Sequence, residues 1–425
     1  METNIENFNK KHGKAFCIKP FTEVASTPLG AVKLCCYSGT IDHEEEYFSK
    51  DKTIKQVFNN NAGLVQARKD LLAGKRIEAC QGCWKDEQAG NKSMRIAHTE
   101  RYDNIDPNFV QKIKQQDTAE VKSIDIKFGN KCNYACVMCA PDNSSLWGKE
   151  IQESPIDSDL YQSRFNNFNS LVDYPEHKYD ELVEISKSLV RVKSTGGEPM
   201  LLDGFKGYIK KLVDKGYAKD ITFKTVTNGT VDCTDLLPYM NEFKEFEMDW
   251  SVDGTGEVYN YVRWPGNFDR MRRIHERLAT EIINKNYSRI NISMHPTIQV
   301  FNLHNIPEMI QYAKDLQIVK HVDFGYIFDE PSYLNTGVFP DEMLEDIIRE
   351  NSKKVGKIET SNSFSHSYDN IVSTVRRDQK LYNRKYNKKE LFDKTKRIAK
   401  WFDQTRKLNI NDHISTYKEL ANYYK

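Results

Sequence analysis

The chain has 425 residues, a formal net charge of +1 and 39% hydrophobic residues, enough for a sizeable core and too little charge for the whole molecule to be steered toward nucleic acid or acidic membranes. Mean hydropathy is −0.69, and no apolar run approaches the roughly 20 residues that span a bilayer. The stretch from Met1 to Phe16 is polar and has no apolar signal core, so a cytoplasmic protein without a membrane partner is expected. Nine cysteines, an odd number, argue against a disulfide framework and leave packed thiols, metal ligands or catalysts.

The patterning divides the chain into residues 1–115, 116–335 and 336–425. In the first part, 54–72 reads as one helix stopped near Gly74. The rest of that part reads as short strands and turns around Cys17, Cys35, Cys36, Cys80 and Cys83. From residue 121 the pattern changes. Alternation predicts strands over 121–128, 189–194, 221–227, 246–252, 290–298 and 321–328. Helical stretches at 205–215, 268–283 and 306–316 separate several of them. Strands alternating with helices predict an α/β fold with a parallel sheet and right-handed crossovers. Six units suggest a partial, TIM-like (β/α)6 barrel, although periodicity does not separate this from an open sheet. Several strand ends carry polar or glycine-rich sequence, and in parallel architectures these ends build the active site. Cys233 stands alone and reads as a packed thiol.

Residues 336–425 read as a helical C-terminal extension, with Leu391, Thr395, Ile398, Phe402 and Thr405 on one helical face. Between Arg376 and Lys407 there are 13 Lys/Arg and 4 Asp/Glu. Tyr382, Tyr386, Trp401 and Phe402 are interleaved with these charges, a composition that RNA binding could use. A solvated amphipathic helix packed on the barrel is the simpler reading.

Cys132, Cys136 and Cys139 have three and then two residues between them, just after the first barrel strand. Thiolates hold iron–sulfur clusters, and a [4Fe–4S] cube normally takes four. Three on one short loop leave one iron open to a substrate or cofactor, as open metal positions do generally. Zinc is the competing occupant, but zinc motifs usually pair C-x2-C units, and no fourth cysteine lies nearby. The spacing C-x3-C-x2-C after a first strand resembles the radical S-adenosylmethionine superfamily. The resemblance implies a [4Fe–4S] cluster held by these three cysteines in a partial (β/α)6 barrel. It further implies that the methionyl amine and carboxylate of S-adenosylmethionine chelate the open iron. Reductive cleavage would give methionine and a 5′-deoxyadenosyl radical that abstracts hydrogen from a substrate. The family often has an aromatic residue immediately before the third cysteine; here Met138 takes that place.

Further strand ends match the same family. Gly196-Gly197-Glu198-Pro199 resembles its GGEP motif: glycines let backbone carbonyls approach a ligand closely, and Glu198 brings a negative charge suited to the methionyl ammonium. Thr227-Asn228-Gly229 resembles the ribose-contacting strand end, since a hydroxyl and an amide can hydrogen-bond a diol; a plain Asn-Gly turn is the close competitor. Ser251-Val252-Asp253-Gly254, followed by Arg263, resembles the strand-four signature of the peptide-modifying branch, where Ser251, Asp253 and an arginine fork would face the cofactor carboxylate. Gln299 and Asn302 are weaker candidates. No general acid or base can be singled out, although Asp253 and Tyr326 fall near expected strand ends.

The N-terminal cysteines carry a second resemblance. Twelve residues lie between Cys17 and Gly30, four between Gly30 and Cys35, and two between Cys80 and Cys83. This resembles the auxiliary-cluster region called SPASM and its shorter relative called twitch, placed here before the barrel instead of after it. The resemblance implies that Cys17, Cys35, Cys80 and Cys83 fill one auxiliary [4Fe–4S] cluster. Cys36 is a fifth candidate, and a four-cysteine structural zinc is the alternative. Twitch and SPASM relatives mostly modify peptides and proteins, and some oxidise cyclitol-like small molecules. The implied function is therefore oxidative radical modification of a peptide or protein by an oxidoreductase fed by an external reductant such as flavodoxin or ferredoxin. Radical chemistry on a small molecule or on RNA is the alternative, and a non-enzymatic cluster or zinc scaffold is a further one.

Overall fold

The structure, a computed structural model, describes residues 4–41, 46–48, 51–116, 119–157, 160, 174–327, 330–358 and 362–424. Its strands are β1 (Glu23–Ser26), β2 (Val32–Lys33), β3 (Ser123–Lys127), β4 (Arg191–Thr195), β5 (Thr222–Thr227), β6 (Glu245–Trp250), β7 (Ile290–Met294), β8 (Thr297–Ile298), β9 (Val319–Val322) and β10 (Gly325–Tyr326). Eight of them form one sheet in the order β2-β1-β3-β4-β5-β6-β7-β9. Every neighbouring pair is parallel except the β1–β2 hairpin. The fold is thus α/β on a mostly parallel sheet, in which β3, β4, β5, β6, β7 and β9 follow one another in chain order.

Period-two alternation decides the two faces. Ile124, Ile126, Val192, Phe223, Phe246, Met248, Trp250, Ile290, Ile292 and Met294 are buried. Helices Asp203–Asp214 and Phe268–Asn284 cover this face, with Phe205 and Tyr208 on Phe223 and His275 stacked on Trp250. The opposite parity is polar. Asp125, Lys193, Lys224, Glu247 and Asn291 stand side by side in one row across five strands. Lys193 Nζ lies 3.2 Å from Asp125 and Lys224 Nζ lies 2.7 Å from Asp249.

Three expectations need correction. The single helix at 54–72 is two helices, Ile54–Asn60 and Ala62–Leu72. Asn61 breaks it with ψ 123°, and its side chain caps the second helix by accepting from Leu64 N at 2.8 Å. The strands at 290–298 and 321–328 each divide in two. Pro296 has no N–H to give the ladder, and β8 leaves the main sheet to pair with β10; residue 328 lies outside the described residues. Residues 1–115 hold more helix than strands and turns. Gln81–Gln88, Met94–Ile105 and Pro107–Gln116 are helical, and a buried two-pronged pair, Arg95 on Glu87 at 2.6 and 2.7 Å, ties the first two together. Strand β1 of this region pairs with β3, Val24 opposite Ile124, so the region extends the main sheet.

The C-terminal extension is helical, including Asp341–Val355, Asn362–Lys385 and Lys388–Arg406. Leu391, Thr395, Ile398 and Phe402 are buried and Thr405 is half-buried, as the stripe predicts. The interleaved aromatics point inward: Tyr382 and Phe402 are buried, and Trp401 stacks on Trp147 at 5.6 Å. Among the described residues no helix is long and apolar enough to cross a membrane. Arg406 anchors the extension. Its fork grips Glu150 at 2.8 and 2.8 Å, both side chains buried, with Phe402 beneath it at 4.1 Å. Replacing one partner of a buried pair strands the other charge. Arg406→Met is expected to cost about 3–5 kcal/mol in urea unfolding; a loss below about 1 kcal/mol would place the pair in solvent.

Candidate functional site

The cysteine loop follows β3. Its backbone is pinned to the segment after β6, Ala135 N to Trp264 O at 2.7 Å and Val137 N to Val262 O at 2.9 Å. Trp147 Nε1 donates to Cys136 O at 2.7 Å. Cys136 is buried and Cys132 and Cys139 are half-buried at the residue level. Burial raises the pKa of all three thiols. The charges of Cys136 and Cys139 add to it at Cys132, and Cys139 adds to it at Cys136, which is pushed up to about 12 although Arg263 opposes the rise. Thiols grouped this way ionise only when a cation takes up their charge. An iron–sulfur cluster is such a group, and the donor set suits it. Among the described residues, no three His, Cys, Asp or Glu side chains are drawn close enough to hold a single metal ion.

Glu198 organises the next strand ends. Gly196 and Gly197 have φ of +82° and +52°, and a Cβ on Gly197 would stand 2.4 Å from Lys131 O of the cysteine loop. Only glycine lets these two loops approach so closely. Glu198 N donates to Lys131 O at 2.8 Å, and Pro199 then starts the short turn Pro199–Leu201. The Glu198 side chain is fully buried. Its carboxylate accepts from Thr227 Oγ1 at 2.7 Å, Asn228 N at 2.6 Å and Met200 N at 2.9 Å. Burial raises its pKa, and these hydrogen bonds work against the rise. Asn228 Nδ2 in turn donates to Asn133 Oδ1 of the cysteine loop at 2.8 Å. One network therefore joins three of the segments singled out from the sequence.

The fourth segment faces them. Asp253 is buried and accepts from Arg263 Nη1 and from Thr297 N, so it is an anchor for Arg263 and not a free acid or base. Arg263 lies over the Tyr134 ring at 5.8 Å. Its Nε is buried with no partner among the described residues, and its charge acts on Cys136, Cys139 and Glu198. Among the described residues, both polar atoms of the buried Gln299 amide also lack a partner. Asn302 Nδ2 holds Asp253 O at 3.1 Å and Thr297 O at 2.9 Å. Half-buried Ser251 joins the cluster through its backbone, N to Thr227 O at 2.9 Å. Tyr326 Oη bonds Thr336 Oγ1 at 2.6 Å on the smaller sheet. Orphaned buried donors and acceptors beside three thiols are what a polar ligand with a carboxylate would satisfy.

Two residues escaped the sequence reading. Asn133, between the first two cysteines, accepts from Asn228 and carries no sequence signal of that role. His275 stacks on Trp250 at 3.8 Å, shares a 2.9 Å hydrogen bond with Tyr312, and lies under Gly229, where an added Cβ would be 2.1 Å from its Nε2. Burial lowers its pKa to about 3, so the ring stays neutral. Its sequence signal was a lone polar residue in the stripe Met271, Leu278, Ile282, which reads as ordinary core.

The N-terminal cysteines form a second group. The turn at Gly30, with φ +90° and its N–H on Thr27 O at 3.0 Å, folds the β1–β2 hairpin that carries Cys35 back toward Cys17. Burial raises Cys17 well above its usual value, and the charges of Cys35, Cys80 and Cys83 add to the rise. Burial likewise pushes Cys80 to about 12, with Cys35 and Cys83 contributing. Cys36 behaves differently. Burial pushes it to about 11, and the charges acting on it are Asp125, Lys19, Lys193 and Glu23. Cys35 thus joins the cysteine group, whereas Cys36 faces the polar side of the sheet. Cys233 is buried in the main core.

The Radical SAM superfamily model matches residues 126–325. That segment is similar to a radical SAM domain. It contains the three-cysteine loop, Gly196 to Pro199, Thr227, Asn228, Ser251, Asp253 and Arg263, and members of the family use a [4Fe–4S] cluster and S-adenosylmethionine. Cys17, Cys35, Cys80 and Cys83 lie outside the match. The chain is 22% identical over 252 residues to the radical SAM cyclopropyl synthase TigE of Paramaledivibacter caminithermalis, covering 56% of this chain and 47% of TigE. It therefore spans about half the length of that relative. Among solved structures, SuiB of Streptococcus suis bound to its precursor peptide SuiA is similar at a TM-score of 0.41 and 12% identity, covering 71% of this chain and 65% of SuiB. The methyltransferase TsrM of Kitasatospora setae is similar at 0.35 and 11%, covering 48% and 35%.

The positive φ of Gly229, +69°, costs an L-residue about 1–2 kcal/mol by itself. Gly229→Ala should exceed that in urea unfolding and weaken S-adenosylmethionine binding measured by calorimetry. Gly90→Ala, at φ +82° with nothing within 4 Å of its Cβ, should show the strain alone. Equal behaviour of the two variants would remove His275 from the support of this loop.

Proposed function

We propose that the chain is a radical S-adenosylmethionine oxidoreductase that modifies a peptide or protein. In this reading Cys132, Cys136 and Cys139 hold the radical-generating [4Fe–4S] cluster, and Cys17, Cys35, Cys80 and Cys83 hold an auxiliary one. The observation that carries it is the Glu198 network, which brings Gly196–Gly197, Thr227–Asn228 and the cysteine loop to one point beside Arg263. When bound, the cluster and S-adenosylmethionine together supply a 5′-deoxyadenosyl radical for hydrogen abstraction.

The chain's own residues do the binding and orienting. A carboxylate has about four acceptor positions, and Glu198 uses three on Thr227, Asn228 and Met200, which leaves one for an ammonium. Asp253 holds the Arg263 fork so that its unpartnered Nε faces a carboxylate. Thr227 spends its hydroxyl proton on Glu198, so ribose contacts fall to Asn228 and Ser251. The four N-terminal thiols support a second cluster, and a second cluster gives a substrate radical somewhere to leave its electron. The resemblance of their spacing to the twitch region supports a peptide substrate, and TigE, named for cyclopropyl synthesis, supports radical chemistry at carbon.

Anaerobic reconstitution tests this directly. Wild type should carry about eight irons, two cubanes, per chain and form 5′-deoxyadenosine with S-adenosylmethionine and dithionite. Changing Cys132, Cys136 and Cys139 together to Ala should abolish 5′-deoxyadenosine and leave about four irons. Changing the four N-terminal cysteines should also leave about four. Stoichiometric zinc would sink the auxiliary cluster, and cleavage that survives the triple change would sink the central assignment.

A further inference from the structure

Between the two cysteine groups, the polar face of the sheet collects three lysines around Asp125, with the buried Lys19–Glu23 pair beside them. Lys33 on β2 stands in the row of Ala25, Asp125 and Lys193. Lys127 ends β3 one step closer to the cysteine loop. Its stem lies against the cofactor loop, since a Cβ on Gly196 would come within 2.6 Å of Lys127 Cβ. On the other flank, Lys193 and Asp125 act on Cys36, the thiol turned away from the N-terminal group.

The charges do not balance. Lys193 pairs with Asp125 at 3.2 Å. Lys33 Nζ donates to a neutral acceptor, Cys36 O, at 3.0 Å. Among the described residues, Lys127 Nζ reaches only the Asn143 amide oxygen, at 3.4 Å. Thus, among the described residues, these three half-buried ammonium groups and the buried Lys19 share two carboxylates here, Asp125 and Glu23, and Lys19 takes Glu23 at 2.6 Å. Burial lowers the Lys127 pKa, and Lys33 and Lys193 lower it further against Asp125 and Cys139. Partly desolvated cations with neutral acceptors attract an anion, and the anions a peptide carries are carboxylates.

We propose that Lys33, Lys127 and Lys193 form a subsite that seats a carboxylate of the peptide substrate, either an acidic side chain or a chain terminus. It rests on the peptide reading above and adds the charge of the substrate. Cys36 and Asn143 mark its two flanks, so a segment held here lies beside the cofactor loop with the N-terminal cysteines behind it.

The test uses the anaerobically reconstituted full chain and three probes in saturation-transfer NMR. These are N-acetylglutamate N-methylamide, N-acetylalanine and the neutral N-acetylglutamine N-methylamide. A charge-assisted contact predicts that a carboxylate probe binds about tenfold tighter than the neutral one. The tighter of the two acids shows whether a side chain or a terminus is read. Lys33→Gln should reduce this preference several-fold, and Lys33→Gln with Lys127→Gln should erase it. Equal binding of acid and amide to wild type overturns the proposal, as does a preference that survives the double change. So does a change in cluster midpoint potential in Lys127→Gln with probe preference intact, which would mean that the lysines serve the thiolates alone. If the double variant does not fold, Lys33→Gln on the edge strand decides, and an unchanged preference again overturns the subsite. The same preparation is assayed for iron and 5′-deoxyadenosine. Their absence would count against the proposed function itself; their presence without probe preference would count against the subsite only.

Discussion

A carboxylate sealed from water must be hydrogen-bonded, because an isolated buried charge costs several kcal/mol. Glu198 meets that demand with three donors from its own turn and from the end of β5. Those donors are available only if the ends of β4 and β5 converge, and the parallel register that aligns the two strands makes them converge. Asn228 passes the constraint on to Asn133, between the first two cysteines. The position of the three thiols relative to the glycine turn thus follows from satisfying one buried acid.

The sheet's two parities divide the remaining work. The apolar face carries the helices, and through His275 it also supports the Gly229 turn from behind. The polar face carries rows of paired and unpaired charge toward the cysteine loop. Because β1 extends the sheet beside β3, the hairpin that leads to Cys35 and Cys36 is brought alongside the strand that leads into the cysteine loop. From the far side, Arg406 grips Glu150, while Trp147, on the same helix as Glu150, holds Cys136 O. The cysteine loop is therefore braced by the β4–β5 ends, the segment after β6 and the C-terminal extension.

Much of this was legible in the sequence because it depends on short-range pattern. Alternation located β3 to β6 to within two residues at each end. The cysteine spacing and Gly196 to Pro199 marked the strand ends that converge. What was not legible depends on distant pairing. The β1–β3 pairing joins residues about a hundred positions apart, and nothing in four residues of β1 announces it. Helix Met94–Ile105 carries no apolar stripe and is secured instead by Ser93 at its start and the Arg95–Glu87 pair. Asp253, singled out from the sequence as a cofactor contact, also anchors Arg263, a pairing that the strand-end pattern does not announce. The choice between Cys35 and Cys36 turns on which way adjacent side chains face, which spacing does not carry.

The central claim is that the loop of Cys132, Cys136 and Cys139 leaves one iron open to S-adenosylmethionine. The most direct measurement is electron paramagnetic resonance of the dithionite-reduced, reconstituted protein, recorded with and without S-adenosylmethionine under conditions too cold for turnover. The account predicts that adding the cofactor shifts the signal of one cluster and leaves that of a second, fully ligated cluster unchanged. A reduced spectrum that is indifferent to S-adenosylmethionine would contradict it.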